Sequence, residues 1–338
     1  MSRRRPTITV MDTTPDRPVP IFAHDPHTGP QYRGRPLADL LDRHIESVWG
    51  LLVDGVESPA LPPAEPFPLP VRTGDTRVDV QSAIAQLAPV WGFRPLLDIS
   101  AERARDDLAR ASVLALSFVA QSARGPDVPA VPQREVEEGR CVAERFLIRW
   151  SGAAPADHVR ALDALWTIVA DEGPDAPSTR IARIAASTGA DVGACLAGAI
   201  SGLSGPLTGG AAARARQLAV RVHDGQDPAE AVHDALREQT VVPGLVPEGR
   251  DLRAEMLREV CRQLDVRIFA AGRALEEAGS ELLAERAGRP ASANVAFWGA
   301  ILLDHVGFEP RLFNALIICG RTAGWSAHVL EEQLRLRA

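Results

Sequence analysis

Apolar residues recur at spacings of three and four along most of this chain. In "RPLADLLDRHIESVWGLLVDG" they run from Leu37 to Leu52 and stop at Gly55, which predicts a helix over that span. "PADHVRALDALWTIVAD" repeats the pattern after Pro155. "NVAFWGAILLDHVG" is apolar almost all round, as a buried helix is, and "PRLFNALIICGRTAGWSAHVLEEQLRLR" predicts another long helix. Pro174, Pro206, Pro228, Pro243, Pro290 and Pro310 mark helix starts or breaks. Two stretches read as irregular: residues 1–31, and "ESPALPPAEPFPLPVRTGD" at 57–75, whose six prolines forbid helix or central strand. Only "QTVVPGLVP" near 239–247 looks extended, and no long repeat is present. The expected fold class is all-α.

Composition narrows the chemistry. With 338 residues, 46% of them apolar, the chain can build one large single-chain fold or two domains. Every one of its 37 basic residues is arginine. The lack of lysine excludes Schiff-base, pyridoxal-phosphate and P-loop chemistry. A net charge of −7 supplies no basic field, so neither nucleic acid nor an acidic membrane is an expected partner. Cys141, Cys195, Cys261 and Cys319 stand far apart, without CxxC or histidines at ligand spacing. No metal site and no disulfide framework are therefore expected. "MSRRRPTITVMD" is basic but leads into no apolar run, so no signal peptide is expected. No window approaches the ~18 apolar residues of a membrane span. The expectation is a soluble, cytoplasmic protein.

Candidate chemistry sits at turns. "GADVGACLAGAISGLSG" lacks a preceding strand, so its small residues read as close helix packing rather than dinucleotide binding. His305 and His328 lie on apolar helices, where a lone histidine is usually a satisfied core or interface residue; Cys195 and Cys319 read as buried hydrophobes. "GLSGPLTGG" at 202–210 is a tight turn with Thr208 at its tip. "VADEGPDAPST" at 169–179 gathers Asp171, Glu172 and Asp175 at a helix corner, with Ser178 or Thr179 as the next N-cap. That corner is either a solvated turn or part of a site.

Taken in order, four blocks of the chain resemble the citrate synthase family. "HDPHTGPQYRGRPLADLLD" is similar to its opening segment. "RALDALWTIVADEGPDAPSTRIARIAASTGADVGACLAGAISGLSGPLTGG" resembles its central block, which carries ADH, NAST, STGA and GPLHGG. "GRDLRAEML" resembles DPRAE.L, and "NVAFWGAILLDHVGFEPRLFNALIICGRTAGWSAHVLEE" resembles the closing block with NVDFYSG and ARTVGWIAH. The chemistry implied by the resemblance needs two histidines, in ADH and GPLH, that hydrogen-bond the reacting carbonyls. It also needs an aspartate, in NVD, that removes an α-proton. This chain has Glu172, Thr208 and Ala296 at those positions; counting back from Ser178 and Thr179 puts Gly173, not Glu172, in the first slot.

The resemblance also implies an architecture and a ligand set. A large helical domain would comprise 32–209 and 292–338, a smaller one 210–291, with the site in the cleft between them. A homodimer is expected, with the small-residue helix at 190–204 and the closing helices at its interface. Arg321 in RTAGW matches the family's carboxylate-binding arginine, and its ordinary alternative is an ion pair with Asp171 or Glu172. The family's GHRVY stretch has no counterpart beyond Arg250, Asp251 and Arg253, so no cofactor is expected with certainty and a CoA thioester is left open. No position matches the tail arginine that enters the partner subunit's site; Arg335 and Arg337 are the nearest candidates.

Two functions compete. One is a repurposed enzyme of specialised biosynthesis acting on a small carboxylate or acyl substrate, with citrate synthesis absent or vestigial. There a buried Glu172 of raised pKa would act as general acid or base, Thr208 would donate a hydrogen bond, and Arg321, Arg253 and Arg250 would bind substrate. The other is a non-catalytic scaffold, ligand sensor or regulatory partner.

Overall fold

In the computed structural model the described residues are 19–337, apart from 26, 206–210, 240, 247–249 and 289. A short antiparallel sheet comes first: β1 (Phe22–Asp25), β2 (Gly29–Tyr32) and β3 (Arg35–Pro36). Helices follow: α1 (Ile45–Asp54), α2 (Thr76–Ala85), α3 (Leu87–Trp91), α4 (Ala101–Arg124), α5 (Gln133–Val136), α6 (Val142–Ser151), α7 (Ala156–Val169), α8 (Pro177–Ser187) and α9 (Val192–Ser201). The next helices are α10 (Ala211–His223), α11 (Pro228–Gln239), α12 (Leu252–Gln263), α13 (Phe269–Ala287), α14 (Val295–Val306) and α15 (Phe313–Arg337). β4 (Leu245–Val246) and β5 (Ser292–Ala293) form a two-residue antiparallel pair. The architecture is all-α, as expected. Among the described residues no helix is long and apolar enough to cross a membrane.

One close helix contact organises the centre. α15 lies against α7 and α4, and is buried along most of its length. Gly320 and Gly324, one turn apart, let the α15 backbone reach the end of α7. A Cβ at Gly320 would lie 2.6 Å from the Trp166 carbonyl oxygen, and one at Gly324 would lie 2.5 Å from that of Ala170. Hydrogen bonds span the contact: the Gly324 amide donates to Ala170 O (3.0 Å) and Trp166 Nε1 to Leu316 O (3.0 Å). Arg321, between the glycines, is thereby carried to the residues that follow α7.

Local structure departs from the expected pattern at several points. Residues 22–36 form a sheet, so the irregular segment predicted for 1–31 is wrong where it is described; strands of four residues are too short to show a period. Asp25 closes their turn by accepting from the His27 and Thr28 amides, both at 2.8 Å. The helix predicted from Leu37 is split into a 3₁₀ turn (Leu37–Leu40) and α1. Asp163 on α7 sets the second start, accepting from the Ile45 amide (3.0 Å) and facing His44 Nδ1 at 2.7 Å. The helix after the acidic corner begins at Pro177, so neither Ser178 nor Thr179 is its N-cap. Both are buried instead, and Ser178 Oγ accepts from Trp325 Nε1 (3.2 Å). The small-residue helix α9 packs on α2 and α8 of its own chain.

Gly324→Ala is expected to cost about 1–3 kcal/mol, because neither backbone can withdraw without repacking the centre. Gly299→Ala, whose Cβ would meet Leu165 at an ordinary 3.4 Å, is expected to be neutral or mildly stabilising. Equilibrium urea unfolding of both variants checks the contrast.

Candidate active site

The corner after α7 is pinned from several sides. Tyr32 Oη accepts from the Asp171 amide (3.2 Å) and lies 2.9 Å from Thr167 O, to which it donates, so the hairpin braces the end of the helix. The buried Asp171 carboxylate meets His328 Nε2 at 3.1 Å. His328 Nδ1 lies 3.1 Å from Arg183 Nη1, and a guanidinium can only donate; Nδ1 therefore accepts, and Nε2–H donates to Asp171. Gly173 then turns the chain with φ +88°, its Cα side packed on Phe22. Pinned before and turned after, Glu172 points its carboxylate at two arginines.

Glu172 Oε1 forms an ion pair with Arg321 Nη2 and lies 3.4 Å from Arg253 Nη1. The Arg321 side chain is 5% exposed, whereas that of Glu172 is 38% exposed. Arg321 is held deep, and the carboxylate reaches it from the rim. Among the described residues, Arg321 Nε and Nη1 are buried without a hydrogen-bond partner. Buried donors are seldom left this way, so the unmet pair is a chemical signal. Arg253 opens α12, where Asp251 accepts from its amide (3.0 Å) and lies 3.5 Å from its Nε. Asn294 caps α14 by accepting from the amides of Ala296 (3.0 Å) and Phe297 (3.2 Å). These caps fix Arg253 and Ala296 on the first turns of two helices that border one cavity.

That cavity has a volume of about 240 Å³. Glu172, Arg253, Ala296 and Arg321 all line it, with an apolar wall that includes Leu165, Leu303, Phe313 and Ile317. Its lining draws on residues 165–203, 212–253 and 294–321.

Other expected site residues are not among the described residues of the cavity wall. Arg250 is not on the cavity wall; it is largely exposed and paired with Glu255, at 2.6 Å between Nη2 and Oε2. Thr208, at the tip of GPLTGG, lies outside the described residues. Arg335 pairs with Glu331 and Glu332, and Arg337 donates to Leu97 O and Ile99 O of its own chain. All four cysteines are buried and free. Among the described residues metal-type donors do converge in two places, His44 with Cys141 and Asp163, and Asp157 with His158 and His305. In each of them a histidine already bonds a carboxylate.

The expected protonation of Glu172 is reversed. Burial alone would push its carboxyl up, but the Arg321 and Arg253 charges outweigh that and hold it below the ordinary range. Glu172 is thus a paired anion at neutral pH, and a raised-pKa acid is corrected. Of the alternatives weighed for Arg321, the ion pair with Glu172 is present, while Asp171 is taken by His328. Gly173 is a turn residue, and Glu172 is the one that reaches the arginines.

The family model "Citrate synthase, C-terminal domain" matches residues 20–337. The chain belongs to the citrate synthase family. It is 46% identical over 309 residues to "Putative citrate synthase 2" of Mycobacterium tuberculosis, covering 90% of this chain and 83% of that protein. It is 29% identical over 201 residues to the 2-methylcitrate synthase of Shewanella oneidensis, covering 57% and 52%. The Thermoplasma acidophilum citrate synthase, solved with carboxymethyl coenzyme A and oxaloacetate, superposes with a TM-score of 0.75 at 19% identity, covering 95% and 90%. That of Thermotoga maritima gives 0.68 at 22% identity, covering 92% and 87%. These two likenesses establish the fold. As a citrate synthase-family protein, the chain has a methyl group, Ala296, on the wall of its candidate cavity.

The lining residues that sequence reasoning passed over are Asn294, Asn314 and the apolar wall. Asn294 was recoverable as a capping type directly before the "VAFWG" run. The wall was not, since nothing local marks which face of an apolar helix borders a void.

The sign of the Glu172 shift sets a pH dependence. A carboxyl depressed on folding contributes stability above its unfolded value of about 4.3, and that contribution is lost as pH falls through the lower folded value. At 38% exposure its size is about 1 kcal/mol or less after screening. Urea unfolding of wild type and Glu172→Gln is expected to show a gap at neutral pH that narrows through the acid range. A constant gap would show that shape, not charge, couples the pair.

Proposed function

We propose that this citrate synthase-family protein binds a small carboxylate or acyl ligand in the cavity at Arg321. In this reading it is a repurposed enzyme in which citrate synthesis is absent or vestigial. The observation that carries this is Arg321 itself: a buried guanidinium on the cavity wall with Nε and Nη1 unpartnered among the described residues. A guanidinium with unmet donors suits a carboxylate.

Two observations support the loss of the family reaction. Ala296 has no atom that can take a proton. Glu172 is ion-paired, and its lowered pKa makes it a weak base. Loss of one acid–base group costs ~10²–10⁴ in rate. Glu172 therefore enters as a charge partner for Arg321 and Arg253. The two-domain division and the homodimer belong to the same proposal, the cavity lining being drawn from both sides of the expected boundary.

One observation favours a second reading, a non-catalytic ligand sensor. Among the described lining residues both carboxylates, Glu172 and Asp251, are committed to arginines.

A thermal-shift screen with oxaloacetate, citrate, short monocarboxylates, CoA and acetyl-CoA tests the cavity. A carboxylate is expected to raise the melting temperature of wild type and not of Arg321→Ala; a ligand at ~100 times its dissociation constant adds about 2.7 kcal/mol. No shift with any of them would sink the carboxylate site. Thiol release from acetyl-CoA with oxaloacetate is expected to stay at background. Turnover in the ordinary enzymatic range of about 1–10³ s⁻¹ would overturn the loss of citrate synthesis.

A further inference from the structure

Arg321 and Arg253 would together be suited to a doubly charged anion, yet in this chain they share a carboxylate of their own. Glu172 Oε1 touches both guanidinium groups, and Asp251 lies against Arg253 from the other side. Among the described residues two cations and two anions line the cavity, so their formal charges balance. What remains unmet on Arg321 is two separate donors, Nε and Nη1, both buried and unpartnered among the described residues, on either side of the Nη2 that Glu172 holds. The lining beyond it is mostly apolar, from Leu165 and Val169 to Phe313 and Ile317. At about 240 Å³ the cavity exceeds the ~150 Å³ that accommodates benzene, which leaves room for a short hydrocarbon chain behind a carboxylate.

We propose that Glu172 is a tethered carboxylate that occupies half of the arginine pair, so that the cavity takes a monocarboxylate with an apolar chain and rejects dicarboxylates. The inference rests on the carboxylate reading of the cavity given above. A ligand's single carboxylate pairs with Arg321 at one of these unmet donors, and its chain lies along the apolar wall. A second carboxylate has two options, both costly. It can displace Glu172, whose covalent tether keeps it at high effective concentration beside the arginines. It can otherwise sit among Glu172, Asp251 and hydrocarbon, where like charge and lost hydration each reduce affinity. Glu172 is thus a specificity-determining residue.

Matched probes of equal length isolate charge from size: pentanoate against glutarate, and butanoate against succinate, titrated by isothermal calorimetry or ligand-observed NMR. Wild type is expected to bind each monocarboxylate at least tenfold more tightly than its dicarboxylate partner. Glu172→Gln is expected to improve the dicarboxylate relative to the monocarboxylate at least tenfold, and Glu172→Asp, which keeps the charge, to retain the wild-type ranking. Arg321→Ala is expected to lose both ligand classes. If wild type binds glutarate as tightly as pentanoate, or Glu172→Gln leaves the ratio unchanged, the tethered-carboxylate inference is overturned while the carboxylate cavity stands. If no probe binds wild type, or binding survives Arg321→Ala, the cavity reading itself falls. Should Glu172→Gln not fold, the wild-type ratio decides alone.

Discussion

The approach of α15 to α7 through Gly320 and Gly324 is the constraint on which the rest of the molecule depends. Backbones brought this close cannot be adjusted by a rotamer change, and protein interiors offer little slack to absorb one. The contact therefore sets the register between two helices, with Arg321 presented by one and the acidic corner by the end of the other. Every polar feature of the candidate site inherits its position from that register. The Gly324–Ala170 hydrogen bond, the Asp171–His328 pair and the Glu172–Arg321 ion pair are successive rungs along the same seam.

Electrostatics then act on a geometry already decided. Asp171 and Glu172 are adjacent carboxylates with opposite fates. Asp171 is fully buried and held by an imidazole that Arg183 fixes in one tautomer. Glu172 reaches in from the rim to a buried guanidinium and leaves part of that guanidinium unmet. The first ties α15 to the end of α7 through its Oδ2, its Oδ1 being buried without a hydrogen-bond partner among the described residues. The second leaves donors of a buried guanidinium unmet on the wall of a cavity, and that cavity is what separates the two.

Much of the fold was legible because periodicity survives in sequence. The apolar runs after Pro155, from Val295 and from Phe313 are α7, α14 and α15, and Gly55 does end α1. The breaks were less legible where a distant residue makes them: Asp163 starts α1 from another helix, and Trp325 draws Ser178 into the core instead of leaving it as a cap. At the site, the RTAGW and LRAE segments led to Arg321 and Arg253, both on the cavity wall, but also to Arg250, which pairs with its neighbour Glu255. The direction of the Glu172 shift was illegible for the same reason. A lone carboxylate in a turn reads as a burial problem, and only the fold shows two arginines converging on it.

Tyr32 gives the hairpin a role beyond its size. Its hydroxyl joins β2 to the carbonyl of Thr167 and the amide of Asp171, more than 130 positions away in sequence. Detachment of residues 22–36 would strip both groups of their partner at the residue before Glu172. Docking of the hairpin and integrity of the acidic corner are therefore linked equilibria. By reciprocity, whatever hairpin docking does to ligand affinity at Arg321, ligand binding does to hairpin docking, to the same free-energy extent. An edge of the protein that touches no ligand thus becomes a reporter of occupancy.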